Sequence, residues 1–506
     1  METPDSDSSV PPPHVLIFPF PIQGHMNCML YLSEMLVYSG FHITLLLTDH
    51  NLSLLRNNSS SSNNNNNSHP SSLPNIPRLR VLSIPDCLPA DHPRNLDGWV
   101  ELLDSLKTNA CPLYKSLLLD LCKMDDVDAD GFPAVTCVIA DGILPFMIDA
   151  SEEVGVPAIA FRTASASSLW IYYCIPQLIQ SGEVPFRDGA DWDEPINSIP
   201  GMESFLRRRD LPSPCRLAKN PEDKVLQLLA TCTAHSERTR GLILNTLETL
   251  ESISLEQIRA HMPTTYAIGP LHEMVRAYRS QNNVCAHDKS VSLWHQDCTC
   301  MTWLDQQPHR SVIYVSYGSV AVMTRESLIE FWIALVNSGE HFLWVVRSDL
   351  LRGEEWTNIW DSLSLEVRKG TEERGCIVSW VPQVEVLAHP AVGCFLTHSG
   401  WNSTLESIVG GVPMLCWPFA VDQQINSRLV GEVWRIGLDM KDACDKTTIE
   451  KMVRAAMNGE TASEIRKNAH ELAKMVKNSV VEGGSSFENF QRLIEHIKSL
   501  CKRNVE

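Results

Sequence analysis

The 506-residue chain predicts an α/β fold of two open, parallel-sheet domains. Three observations carry that reading. Residues 14–19 (HVLIFP) are an unbroken apolar run, followed by Gln23-Gly24-His25 and then by Met29, Leu30, Leu32, Met35 and Leu36 at helical spacing. The pattern restarts at residues 311–319 (SVIYVSYGS), again an apolar run closing on a Gly-Ser turn. Strands covered on both faces read as continuous hydrophobic stretches, whereas half-exposed strands alternate, so both runs belong inside helix-covered sheets.

The elements follow in order. Gly40 ends the first helix and residues 41–47 form the next strand, completing a βαβ start. Residues 57–72 are an Asn/Ser run that reads as a surface loop. A strand over 135–140 ends at Asp141, and another over 157–160 leads into Phe161-Arg162-Thr163-Ala164-Ser165. Residues 269–299 are polar and weakly periodic and read as a linker. Strands over 342–346, 376–378 and 394–397, a helix over 402–409 and an apolar-striped helix over about 486–502 complete the chain. The division expected is 14–268 for the first domain, 269–299 for the linker and 300–480 for the second domain, with 481–506 a closing helix that packs back on the first. Two such sheets place a ligand cleft between them, at the carboxyl ends of their strands.

Composition narrows the partners. Against 42 Lys and Arg stand 61 Asp and Glu, a net charge of −19 that repels nucleic acid and anionic membranes. No apolar run approaches the roughly 18 residues of a membrane-crossing helix, so no membrane span is expected. The first ten residues are acidic and Ser-rich, unlike the basic opening of a secretory leader. Sixteen cysteines without a repeating framework read as reduced thiols in a cytoplasmic, monomeric protein. Cys298 and Cys300 have no matching ligand pair, so no metal site is expected there.

Residues 380–423 hold the densest chemistry. They run from Trp380-Val381-Pro382-Gln383, through His398-Ser399-Gly400-Trp401-Asn402-Ser403 and Glu406, to Val421-Asp422-Gln423. A strand entering a Gly-containing turn and then a helix makes an anion site, because the first helical N–H groups are unpaired. His398, Asn402 and Ser403 can add side-chain donors. On spacing alone, Ser403 and Glu406 also fit a capping box, in which both would serve only the helix.

This 44-residue stretch resembles the nucleotide-sugar signature box of plant UDP-dependent glycosyltransferases in length and at nearly every landmark. The resemblance implies a GT-B architecture of two Rossmann-like domains and a UDP-sugar co-substrate in place of a cofactor. It implies that Trp380 stacks on uracil, that Val381 lies beside it and that Gln383 meets the uridine. His398, Asn402, Ser403 and Ser319 would hold the diphosphate, Glu406 the ribose, and Trp401, Asp422 and Gln423 the sugar. Trp401 and Gln423 match the family's glucose-using set. Val421 departs from the family's small residue and adds methyl groups where sugar and acceptor meet.

His25 is the candidate base, since it follows the first strand and its imidazole accepts a proton near neutral pH. Asp141, ending another strand of that sheet, is the candidate to fix its tautomer. The run Pro21-Ile22-Gln23-Gly24-His25 and the Ala140-Asp141-Gly142 that follows a strand are shared with the family, which implies these roles and places Gly24 beside the substrates. One base and no carboxylate nucleophile favour a single in-line displacement with inversion, giving a β-glucoside on a hydroxyl or carboxyl of a small terpenoid, iridoid or phenolic metabolite. The Asp126-Val127-Asp128-Ala129-Asp130 run offers the letters of a metal-dependent rival, but no strand delivers it to a cleft. A nucleotide-sugar binder without catalysis, or an enzyme using another UDP-sugar, is the remaining alternative.

Two features concern the acceptor. Residues 200–212 (PGMESFLRRRDLP) and 268–272 (IGPLH) resemble the plant subgroup that includes 7-deoxyloganetic acid glucosyltransferases, which implies a small terpenoid acceptor. Thr163 matches a family threonine that touches the sugar, which places Arg162 near the cleft, where many relatives carry Trp. Arg162 either anchors an acidic acceptor or pairs with an internal acid.

Overall fold

The computed structural model describes residues 12–59, 76–123, 127–284, 292–350, 356–443 and 445–503. Residues 60–72 of the Asn/Ser run and Asp126 therefore lie outside the described residues, while residues 57–59 end a helix, Asp49–Ser59.

The first sheet comprises β1 (His14–Phe18), β2 (His42–Thr48), β3 (Leu79–Ile84), β4 (Cys137–Asp141), β5 (Ala158–Arg162), β6 (Leu242–Leu244) and β7 (Thr265–Ala267). The second comprises β8 (Val312–Ser316), β9 (His341–Val345), β10 (Gly375–Val378), β11 (Val392–Thr397), β12 (Met414–Cys416) and β13 (Gly437–Asp439). Their orders are β3-β2-β1-β4-β5-β6-β7 and β10-β9-β8-β11-β12-β13, and every pairing is parallel. Each sheet thus reverses direction once, between β1 and β4 in the first and between β8 and β11 in the second. A crevice opens at such a switch point because the flanking crossovers leave to opposite faces.

The helices that position the site are α1 (Gln23–Tyr38), α2 (Ala166–Tyr173), α3 (Leu271–Gln281), α4 (Trp401–Gly410), α5 (Gln423–Arg428) and α6 (Ser485–Arg503). β1, β4, β5, β8 and β11 are buried at every position, as their unbroken apolar runs require. The closing helix α6 puts Phe490, Leu493, Ile494, Ile497 and Leu500 into the core of the first sheet, alongside Val15 and Ile17.

The segment read as a linker is partly a helix. α3 buries Leu271, Met274 and Val275 in that same core, and Arg279 on it pairs with the buried Glu34 of α1 at 2.6 Å. Its apolar positions 271, 274 and 275 follow helical spacing, but the polar residues around them masked it in the sequence. Residues 285–291 lie outside the described residues.

Between the domains, Ile425 and Leu429 of the second half join the core built on α2 and β5–β6. Ser165 Oγ donates to Asn426 Oδ1 at 2.9 Å, and Trp434 Nε1 donates to the Leu250 carbonyl at 3.1 Å.

Candidate active site

Both switch points open onto one cleft. From the first domain it is lined by Gly24, His25, Asp141, Arg162, Thr163 and Tyr172, and from the second by Ser319, Trp380, Val381, Gln383, His398, Trp401, Asn402, Ser403, Glu406, Val421, Asp422 and Gln423. Every site residue expected from the sequence therefore lies on this lining.

His25 sits in the first turn of α1, just beyond β1, and Asp141 is the last residue of β4, across the switch point. His25 Nδ1 lies 2.7 Å from Asp141 Oδ2. Asp141 is 1% exposed, and its carboxylate also accepts the N–H groups of Phe20 at 2.9 Å and Ile143 at 3.2 Å. Burial pushes this carboxyl up, but the facing imidazole and those N–H donors outweigh it and hold it below the usual carboxylate range. An ionised Asp141 fixes the proton on Nδ1 and turns the Nε2 lone pair to the cleft. Thr163 Oγ1 is 3.2 Å from Nδ1 and 3.1 Å from Nε2. An oxygen equidistant from both nitrogens in the ring plane would overlap Cε1, so the hydroxyl lies over the ring face. The in-plane lone pair of Nε2 is then open to an incoming hydroxyl.

The facing side is built on β11 and α4. Gly400 caps α4 with extended backbone and no side-chain hydrogen bond, so the capping-box alternative for Ser403 and Glu406 does not hold. Both instead accept from Gln383, whose Nε2 donates to Ser403 Oγ at 2.9 Å and to Glu406 Oε2 at 2.7 Å. Tyr314 Oη, from β8, donates to Gln383 Oε1 at 2.9 Å and fixes which way the amide points. Burial lifts the Glu406 carboxyl to about 7, opposed by the Gln383 donor and assisted by the charge of Glu385.

His398 is pressed between two glycines. A Cβ at Gly318 would lie 2.5 Å from the ring, and one at Gly400 would lie 2.4 Å from it, so neither position admits a side chain without moving the imidazole. Burial first, and then the charge of Arg347, lower His398 to about 4, so it is neutral at pH 7. Arg347 braces the Ser319 turn from beneath: it donates to the Gly318 carbonyl, and to that of Ala321 at 2.7 Å, while pairing with Asp349 at 2.9 Å.

Asn402 crosses the cleft, its Nδ2 donating to the Gly24 carbonyl at 2.7 Å. Trp401 meets the cleft, but its indole N–H is taken by the Asn245 carbonyl at 2.8 Å. Gln423 accepts the N–H groups of Phe419 and Ala420 through Oε1, at 2.7 and 2.8 Å, which leaves its NH₂ to donate. Asp422 accepts from Asn426 at 2.9 Å. Trp380 lies beside Trp294 at a 30° tilt, with 5.9 Å between ring centroids. Val421 has a left-handed backbone, φ 57, which is costly for a β-branched residue. Ser213 holds it there from the first domain, exchanging backbone N–H to carbonyl at 2.9 Å and Val421 N–H to hydroxyl at 2.7 Å.

Of the alternatives for Arg162, the internal acid fails: no carboxylate of the described residues lies within ion-pair distance, and its Nη1 donates to the Gly142 carbonyl at 2.8 Å. Asp128, by contrast, turns away from the cleft to Arg80 and to the N–H groups of Asp130 and Phe132. Among the described residues no cluster of three or more His, Cys, Asp or Glu could hold a metal ion, and no helix is long and apolar enough to cross a membrane.

Sequence reading missed Asn245, Tyr172, Tyr314 and Arg347. Asn245 and Arg347 carried a usable signal, since each is a polar residue closing an apolar strand. Tyr314 did not, because inside a buried strand its hydroxyl is indistinguishable from core.

Comparison with known proteins agrees with this geometry. Residues 244–483 match the family described as UDP-glucoronosyl and UDP-glucosyl transferase. The chain is 47% identical to a 7-deoxyloganetic acid glucosyl transferase of Catharanthus roseus, across 97% of this chain and 98% of that protein. It is 45% identical to a myricetin 3-O-rhamnoside 1,2-glucosyltransferase of Crocosmia x crocosmiiflora, across 96% of each. The crystal structure of Os79 from O. sativa in complex with UDP superposes with a TM-score of 0.75 at 29% identity, covering 96% of this chain and 100% of that one. A shared fold, near-complete coverage and a cleft lined by the whole signature box lead to one conclusion: this chain belongs to the UDP-dependent glycosyltransferases, with their GT-B architecture.

Proposed function

We propose that the protein is an inverting, metal-independent glucosyltransferase. It moves glucose from UDP-glucose to a hydroxyl of a small terpenoid or phenolic metabolite, without a cofactor. The observation that carries this reading is the opposition of two switch points: the His25–Asp141 pair at one, and an uncapped helix start with His398, Ser319 and the Gln383–Glu406 pair at the other. The acceptor oxygen attacks C1 of the sugar and its proton passes to His25 Nε2. The C1–O bond to the diphosphate breaks, and UDP leaves with the electron pair. Asp141 stabilises the imidazolium that forms. The N–H groups of α4, the hydroxyl of Ser403 and the neutral His398 receive the growing charge on the diphosphate.

Glucose as the sugar rests on the Trp401 and Gln423 pair and on relatives named as glucosyltransferases. The test is UDP release and product formation with UDP-glucose over a panel of iridoid, monoterpenoid and phenolic alcohols, repeated with a chelator. Turnover with UDP-glucose, unchanged by chelation and faster than with UDP-galactose or UDP-glucuronate, is expected. Faster turnover with either other donor would overturn the glucose assignment.

Glu406 gives a pH prediction. A ribose needs the carboxylate form as acceptor for its hydroxyls, and burial holds Glu406 near 7. UDP-glucose affinity should therefore plateau above pH 7 and fall by up to about tenfold per unit below it. The diphosphate of UDP-glucose is a diester and does not titrate in that range, so the slope belongs to the protein. Glu406→Gln should bind more weakly at pH 8 and lose the slope. Calorimetric titration of both proteins from about pH 5.5 to 8.5 reads this directly, and an equal slope in both would rule out Glu406 as its source.

A further inference from the structure

Arg162 ends β5 with its side chain buried at the acceptor side of the cleft, 5% exposed. Its stem crosses Gly142, where an added Cβ would lie 2.3 Å from Arg162 Cδ, so the residue after Asp141 is kept small and the arginine passes over it. A single neutral acceptor, the Gly142 carbonyl, meets the guanidinium. The acids of the cleft are each engaged elsewhere: Asp141 with His25, Asp422 with Asn426 and Glu406 with Gln383. Arg162 is the one permanently cationic side chain on the described lining. A buried guanidinium without a counter-charge is costly.

A second, independent observation lies beside it. Tyr172, on α2, is 2% exposed and lines the same cleft, and its hydroxyl oxygen faces the Ser168 hydroxyl one turn back, which leaves its own O–H to donate. An uncompensated cation and a hydroxyl with a proton to donate thus share one end of the pocket, next to Thr163, which touches the base.

We propose that Arg162 and Tyr172 form a subsite for a carboxylate carried by the acceptor, so that the preferred acceptors are hydroxy acids whose acid group stays free. This rests on the glucosyl-transfer reading above and names its substrate class. The hydroxyl of the acceptor forms the new bond to C1, its proton goes to His25 Nε2, and UDP departs. The carboxylate is a spectator, held by the guanidinium fork and by Tyr172 Oη at a distance from the sugar. The product is an O-glucoside, not a glucose ester.

Two matched pairs of probes test the subsite: 7-deoxyloganetic acid with its methyl ester, and 4-hydroxybenzoate with its methyl ester. The wild type should favour the acid over the ester in kcat/KM. Arg162→Met should raise KM for the acid about 10- to 100-fold relative to that for the ester, with kcat changing less, as loss of a charge-assisted contact implies. Arg162→Lys should recover part of the preference, keeping the charge and losing the fork. Tyr172→Phe, which removes one oxygen and no volume, should shift the same ratio by about threefold to tenfold. UDP affinity, read on each variant, reports folding separately. The product of the acid should resist mild alkali, which cleaves a glucose ester.

Equal wild-type turnover of acid and ester, a parallel loss on both in Arg162→Met, or an alkali-labile product would each overturn the subsite while leaving glucosyl transfer intact. A wild type that glucosylates only neutral members of the wider panel also overturns it. Failure of UDP release with every acceptor would overturn the glucosyl-transfer reading and the subsite with it.

Discussion

Replacing His25 with alanine is expected to lower kcat by about 10²- to 10⁴-fold while leaving UDP affinity nearly unchanged. The base lies in the first domain and the proposed uridine contacts lie in the second, so the two readouts separate. Without the imidazole the acceptor hydroxyl must lose its proton to water, and the in-line attack meets a poorer nucleophile. Asp141→Asn should lose less, because it removes the charge behind Nδ1 and the preference for one tautomer, not the accepting nitrogen. The Phe20 and Ile143 N–H groups that point at this carboxylate would then face an amide able to present its NH₂ to either of them. Steady-state rates and UDP titration on both variants decide the matter. An alanine variant with more than about half of wild-type activity would remove His25 from catalysis.

Asp210→Ala should produce the largest loss of stability. Asp210 is fully buried at the seam between domains and gathers three cations. Arg207 donates to it at 2.9 Å, Lys441 of the second domain pairs at 2.8 Å, and Arg428 lies at 3.5 Å. Removing the carboxylate leaves these charges facing one another, and breaking such a buried pair costs about 3–5 kcal/mol. Urea unfolding followed by tryptophan fluorescence should show an earlier transition. Two domains need not unfold together, so the midpoint of the first transition is the quantity to compare. The pH dependence has a definite sign. Burial raises this carboxyl, but Arg207 and Lys441 outweigh it and hold it below the usual range. A group depressed in the folded state stabilises above its unfolded pKa, so the gap between wild type and variant should be full above about pH 4 and close as pH falls further. A loss below about 1 kcal/mol at neutral pH would mean that the cations find other partners.

The same seam accounts for the triple arginine at 207–209. In the folded chain Arg207 pairs with Asp193 and Asp210, Arg208 with Glu194, and Arg209 with Asp193 and Asp442. With this run neutralised by its neighbours, Arg162 carries the uncompensated charge of the acceptor side.

The chemistry of the second domain was legible in the chain because its parts are contiguous. β11, the turn at 398–400 and α4 follow one another within a few residues, so an apolar run, a glycine and a helix pattern are enough to build an anion site. The strands read from the sequence in both sheets were likewise fixed by local pattern, since only continuous apolar runs can be buried on both faces. Distances along the chain carried nothing about pairing. His25 and Asp141 are 116 residues apart and meet because the sheet order places β4 beside β1, a property of the whole sheet. Gln383 holds Ser403 and Glu406, overriding a spacing that fits a helix cap, because α4 begins at Gly400 and turns both side chains toward the preceding crossover. Arg162 could be placed near the cleft from its neighbour Thr163, but whether an acid awaited it depended on which side chains four separate elements bring to one spot. Local sequence determines elements and the groups they carry. Only tertiary packing sets which charges are compensated, because compensation acts over a few ångströms in space and is blind to separation along the chain.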